Sequence, residues 1–199
     1  DPTLRELDFL DGLSPDGAAF LGAVHVQATE QFVVRYADAL APDDVTTLRA
    51  AAECTAAWQA APADPFSLVH GDYRLDNLLF HPSGSVSAVD WQTLTLAPPL
   101  RDLAYFLGTS LTVDDRRDHE RAIVDRYYTR LVERGVADYD PDQCFDDYRL
   151  GQLQGPLITV IGCEYATATR TAAADEMFLA MARRSCAAVR DLGSLDLVR

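Results

Sequence analysis

The sequence predicts a mainly helical α+β domain in which a small β insert separates two groups of helices. Three observations carry this. Apolar residues recur at helical spacing before residue 61 and again after residue 100. Between them, short aliphatic and β-branched runs are set apart by turn residues. The polar residues able to do chemistry crowd into that same middle stretch. At 199 residues the chain fits one domain, residues 1–199.

Taken in order, residues 1–13 read as an extended lead-in. Ser14-Pro15-Asp16 opens a helix, a capping residue followed by proline at the first helical position. Phe20, Leu21, Val24, Ala28, Phe32 and Val33 continue it to about Leu40. Pro42 starts a second helix running to about Ala60, with Val45, Leu48, Ala51, Ala52 and Trp58 on one side. Pro62 and Pro65 break the pattern. Leu68-Val69, Leu78–Phe80 and Val86–Val89 then read as short strands. After Pro98-Pro99 helices are predicted at about 101–111, 115–135, 142–168 and 173–191, the third a candidate for a break near Gly155-Pro156.

Composition excludes several function classes. A net charge of −14 is the wrong sign for nucleic acid, whose phosphates require a basic surface. The longest apolar run, Gly155–Cys163, is far short of a bilayer span, so no membrane partner is expected. Cys54, Cys144, Cys163 and Cys186 are scattered without a Cys-x-x-Cys pair, which reads as free thiols in a cytoplasmic protein. All 17 basic residues are Arg, so no lysine-dependent chemistry can be built from this chain. With Asp1 as its first residue, the chain reads as starting partway through a longer product.

The informative stretch is His70-Gly71-Asp72-Tyr73-Arg74-Leu75-Asp76-Asn77, followed by Val89-Asp90-Trp91-Gln92. Ser83-Gly84 supplies turn chemistry for a hairpin between them. If Pro82 faces Ser85, the register sets Asn77 opposite Asp90, and opposed residues share a face. An amide oxygen and a carboxylate would then converge as hard ligands suited to Mg²⁺. Phosphoryl transfer asks for such a set: an Asp to orient and deprotonate an acceptor hydroxyl, an Asn five residues on, and an Asp after the next strand to hold metal. Asp72, Asn77 and Asp90 match in order and spacing. Arg74 and Asp76 also read as a simple ion pair, and Asp102 as a helix N-cap.

His-Gly-Asp-x-x-x-x-Asn with a following Val-Asp-Trp resembles the phosphotransferase family that includes aminoglycoside phosphotransferases and choline kinases. The form here is most similar to the ecdysteroid-kinase-like and actinobacterial branches. Pro98-Pro99-Leu100-Arg101-Asp102-Leu103-Ala104-Tyr105 matches the segment that follows in that family. The resemblance is strong over residues 66–108, with acceptor-side helices in 1–61 and 109–199. It implies the C-terminal lobe of a protein-kinase-like fold and an ATP-dependent (or other nucleoside triphosphate-dependent), Mg²⁺-dependent kinase for a small hydroxylated acceptor. It further implies Asp72 as the catalytic base, Asn77 and Asp90 as metal ligands, and His70 and Asp102 as loop supports. Arg74, Gln92, Glu164 and Tyr165 fall where substrate-side residues lie.

The glycine-rich loop and strand-borne lysine of a nucleotide-binding lobe are not in these residues. The chain therefore reads as one lobe, with little or no kinase activity by itself. Two other readings stay open: a non-catalytic binding or regulatory module on the same fold, and a metal-dependent phosphohydrolase. No Gly-x-Ser-x-Gly elbow supports a serine hydrolase.

Overall fold

The computed structural model describes residues 2–7, 10, 14–61, 65–165 and 170–198. Seven helices and four short strands are present among them: α1 Pro15–Arg35, α2 Pro42–Ala60, β1 Ser67–Val69, β2 Leu78–Phe80, β3 Val86–Ala88, β4 Thr95–Ala97, α3 Arg101–Ser110, α4 Val113–Glu133, α5 Pro141–Gly151, α6 Gln154–Tyr165 and α7 Ala172–Leu192. The architecture is mainly helical α+β, as the periodicities require.

Local chemistry sets the helix ends. The Ser14 side chain accepts from the Gly17 amide ahead of Pro15, and Thr112, Asp140 and Thr171 cap α4, α5 and α7 in the same way. The Thr112 cap starts α4 two residues before the predicted position. Residues Pro2–Glu6 form a 3₁₀ helix rather than an extended lead-in, and Leu10 behind it is buried. α1 stops at Arg35, short of Leu40. Tyr36 leaves the helix, stacks on Phe32 and donates to Asp175 at 2.6 Å, so the chain turns and buries Leu40.

The predicted 142–168 helix is two helices. The break falls at Gln152-Leu153, just before Gly155-Pro156, and Pro156 sits in the first turn of α6, where its missing N–H costs little. Gly151 lies against α3, where a Cβ would come 2.8 Å from that of Ala104. A core of Phe32, Leu48, Val160, Ala182 and Cys186 joins α1, α2, α6 and α7. A second, of Leu100, Leu107, Val124, Cys144 and Tyr148, joins α3, α4 and α5. No helix among the described residues is long and apolar enough to cross a membrane.

The β portion is two antiparallel pairs, β1–β4 and β2–β3. Strand β4 was not predicted, although Thr95-Leu96-Ala97 ahead of Pro98 carries a weak strand signal. The hairpin register differs from the expected one by one residue: Leu78 faces Ala88 and Phe80 faces Val86. The turn is a three-residue loop, with Gly84 bonding to His81 and His81 to Ser85, and Gly84 holding a left-handed φ of 82°. His81, not Pro82, faces Ser85. Asn77 is therefore opposite Val89, whose N–H it accepts at 2.9 Å, and not opposite Asp90.

Candidate active site

At the start of the loop after β1, His70, Gly71 and Asp72 have every backbone N–H and C=O engaged. Asp102, in the first turn of α3, accepts the His70 amide at 2.6 Å and the Gly71 amide at 2.9 Å. Thr93 Oγ1 donates to the His70 carbonyl at 2.6 Å, and Gln154 Nε2 to the Gly71 carbonyl at 2.8 Å. The buried His70 ring spans to the hairpin: Nε2 donates to the Val89 carbonyl at 2.8 Å, while Nδ1 accepts the Asp72 amide at 3.3 Å. Those two partners require the Nε2-protonated tautomer. Trp91 closes over it with ring centroids 4.7 Å apart.

Gly71 makes this possible. Its φ is +83°, and a Cβ there would lie 2.6 Å from the Thr93 carbonyl oxygen. Gly71→Ala is expected to cost about 2 kcal/mol, combining left-handed strain with that clash. Gly84→Ala, at a similar φ of 82° but with open space around it, is the control for strain alone. Urea melts of the two variants separate the contributions, and equal losses would show that the clash relaxes.

The loop delivers Asp72 to a polar corner. Tyr105 Oη donates to Asp72 Oδ1 at 3.1 Å, and Asn77 Nδ2 to Oδ2 at 3.0 Å and to the Asp72 carbonyl at 2.8 Å. Arg74 lies between two carboxylates, 3.5 Å from Asp72 and 3.2 Å from Asp76. Burial, then the nearby Asp72 charge, push the Tyr105 phenol well above its ordinary range, so it stays a proton donor. Asn77, turned with its nitrogen on Asp72, keeps its side-chain oxygen for another partner.

Asp90 arrives by a different route from the register argument. It is the one non-glycine residue with positive φ among the described residues, at 64°, and it precedes the 3₁₀ turn Trp91–Thr93 with its side chain exposed and making no capping bond. A left-handed Asp is uncommon, and such positions concentrate at functional sites. The kink takes Asp90 out of the strand just past the Asn77–Val89 pair. Among the described residues no group of three His, Cys, Asp or Glu could hold a metal unaided. A Mg²⁺ held by Asn77, Asp90, water and nucleotide phosphates needs no such group.

Of the predicted residues, the structure thus brings together His70, Asp72, Arg74, Asn77 and Asp102, with Asp90 and the exposed Gln92 following the hairpin. Glu164 and Tyr165 lie apart. Glu164, with its carboxylate buried, is ion-paired to Arg35, and Tyr165 is half exposed at the end of α6. Sequence reading missed three residues. Tyr105 had a signal, lying three positions after Asp102 on the same helical face. Thr93 and Gln154 had none, because their loop contacts exist only through tertiary packing.

Apolar side chains stand exposed beside this corner: Leu79, Phe80 and Val86 on the hairpin, and Trp91 after it. Alternation along the strands puts Phe80 and Val86 on one face of the hairpin and Leu79 on the other.

The chain is 37% identical over 86 residues to acyl-CoA dehydrogenase family member 11 of Gallus gallus, covering 40% of this chain and 11% of that protein. It is 48% identical over 42 residues to the Homo sapiens member 11, covering 20% and 5%. The figures for member 10 of Mus musculus are 51% over 41 residues, 20% and 4%. The chain thus corresponds to a small part of each of these relatives. No solved structure matches it. The profile of the phosphotransferase enzyme family matches residues 4–142, over two thirds of the chain, and the chain belongs to that family.

Proposed function

We propose that these residues form the catalytic lobe of a Mg²⁺- and ATP-dependent O-phosphotransferase acting on a small hydroxylated molecule in the cytoplasm. The observation that carries this is the Asp72 carboxylate, aimed by Tyr105 and Asn77 from a loop whose backbone is pinned by Asp102, Thr93 and Gln154. A base must be held where it can take a hydroxyl proton, and such placement contributes a large share of catalysis. Asp72 would accept the acceptor's proton, and Arg74 would offset the charge beside it. Asn77 and Asp90 would hold Mg²⁺, which neutralises phosphate charge when bound. The fold is read as the C-terminal lobe of a kinase-like enzyme, and the exposed Phe80 and Val86, paired on one face of the hairpin, as part of the surface that meets a nucleotide-binding lobe.

The acceptors to test are aminoglycosides, choline-like amines, sugars and sterol-like alcohols, and, because the relatives are named for acyl-CoA, an acyl-CoA carrying a hydroxyl. The test is transfer of labelled γ-phosphate from ATP to such a panel, by this chain alone and by a longer protein containing it. The longer protein is expected to form a phosphate ester, and Asp72→Asn to reduce that rate about 10²–10⁴-fold. The chain alone is expected to stay near background. Normal turnover by the 199 residues would overturn the two-lobe reading. Free phosphate without ester would favour a phosphohydrolase, and neither product a binding module.

A further inference from the structure

The phosphotransferase reading leaves unused a cleft of about 630 Å³ that opens against the catalytic loop, a volume typical of small-molecule sites. Leu21, Ile158 and Ile161 give it an aliphatic wall, and Gln59, Arg101 and Gln154 a polar one. It reaches Gly71 and Thr93 of the loop, but Asp72, Asn77 and Asp90 do not line it.

Arg101 is the unusual residue there. Its guanidinium lies 4.5 Å from the centroid of the Trp58 ring, and Nη1 donates to the neutral Oε1 of Gln59 at 3.4 Å. Nε is closed off from solvent without a hydrogen-bond partner among the described residues. The neighbouring Asp102 spends its oxygens on loop amides and makes no ion pair with it, although its charge lies close enough to oppose part of the effect of burial. Burial accordingly lowers the Arg101 pKa to about 10. A partly desolvated cation with no carboxylate hydrogen-bonded to it is costly, and a bound anion would offset that cost. In a chain of net charge −14, a protein carboxylate to serve the same purpose was not scarce. A second orphan points to a ligand independently. Gln154 is 6% exposed, and its Oε1 has no donor among the described residues, while its Nε2 holds the Gly71 carbonyl.

The geometry points to this cleft as a binding site for an amphipathic anion, a carboxylate or phosphate monoester on an aliphatic body. Arg101 takes the head group, and the Leu21–Ile158–Ile161 wall takes the chain. A guanidinium lying on an indole is presented for planar recognition of an oxyanion. Gln154 Oε1 accepts from a hydroxyl or amide on the ligand body. Because the same side chain holds Gly71, occupancy is transmitted to the loop. Nothing in the inference requires nucleotide or catalysis.

The test is calorimetric titration of the 199-residue chain with octanoate, octyl phosphate, octanol, acetate and inorganic phosphate, with Trp58 fluorescence as a second readout. Octanoate or octyl phosphate is expected to bind saturably with a Kd of about 1 mM or below, the tighter of the two identifying the head group. Octanol, acetate and inorganic phosphate, each supplying half the interaction, should bind at least about tenfold more weakly. Arg101→Gln is expected to weaken the amphipathic anion by about tenfold or more, with its melting transition checked by circular dichroism. Ile158→Phe narrows the cleft with Arg101 intact, should also weaken binding, and decides the matter if Arg101→Gln does not fold. Absence of saturable binding by both amphipathic anions overturns the site. So does octanol or acetate binding as tightly as octanoate, or an unchanged affinity in Ile158→Phe. No readout involves phosphoryl transfer, so an empty cleft and an inactive enzyme are distinct results.

Discussion

Replacing Asp102 by Ala is expected to destabilise the protein by about 3 kcal/mol and to free the catalytic loop. Both Asp102 oxygens accept backbone N–H groups, from His70 and Gly71, and both donors lie in a buried part of the chain. Truncation leaves two donors without partners, each costing about 1–3 kcal/mol, less whatever water can reach. Asp102→Asn keeps one acceptor and should lose about half as much. Chemical denaturation gives the totals, and hydrogen exchange at the Gly71 amide shows whether the loop itself opens. A loss below 1 kcal/mol in Asp102→Ala, with Gly71 still protected, would mean that Thr93, Gln154 and His70 suffice to hold the loop.

The second large effect is on stability against pH, through His25. This residue is fully buried between α1 and α2. Its Nδ1 donates to Thr55 Oγ1 at 2.7 Å, and Thr55 passes its own proton to the Ala51 carbonyl at 2.9 Å. Nε2 makes no hydrogen bond of good geometry among the described residues, although the Pro156 carbonyl of α6 lies near enough to favour the protonated ring and so opposes part of the effect of burial. Burial lowers the His25 pKa from 6.5 to about 4. Between those values the unfolded chain binds the proton and the native protein does not, so stability rises with pH across the window. It is complete above pH 6.5 and falls by about 3 kcal/mol as pH drops to 4. Asp102 and Asp147, whose carboxyls burial raises, act in the opposite direction as pH falls and reduce the net slope. Urea denaturation at pH 4.5 and 7, compared between wild type and His25→Gln, isolates the histidine. Identical pH slopes for the two proteins would rule it out.

Much of the fold was legible in the chain because its signals are local. Ser14-Pro15, Pro42 and Pro141 mark helix starts by capping and by the fixed φ of proline, and no distant contact is needed to read them. Strand β4 was missed, and the break between α5 and α6 was placed a few residues late near Gly155-Pro156, for the converse reason. Three residues pair as a strand only because β1 lies alongside, and Gly151 ends α5 where the chain packs against α3. The hairpin register was off by one because a two-residue and a three-residue loop around Ser83-Gly84 have nearly the same turn chemistry. The difference lies in the left-handed φ of Gly84.

By itself the sequence determined the family and the order of Asp72, Asn77 and Asp90, because their spacing is fixed by covalent distance along a short loop and hairpin. The tertiary structure alone decided how they are presented. Asn77 faces Val89, and Asp90 turns out through a left-handed backbone. Tyr105 comes to Asp72 from α3, and Gln154 to Gly71 from α6. Only tertiary packing also places Arg101 on Trp58 with its Nε unpartnered among the described residues. Burial and hydrogen bonding between residues tens of positions apart have no periodicity in the sequence, since packing of the helices creates them.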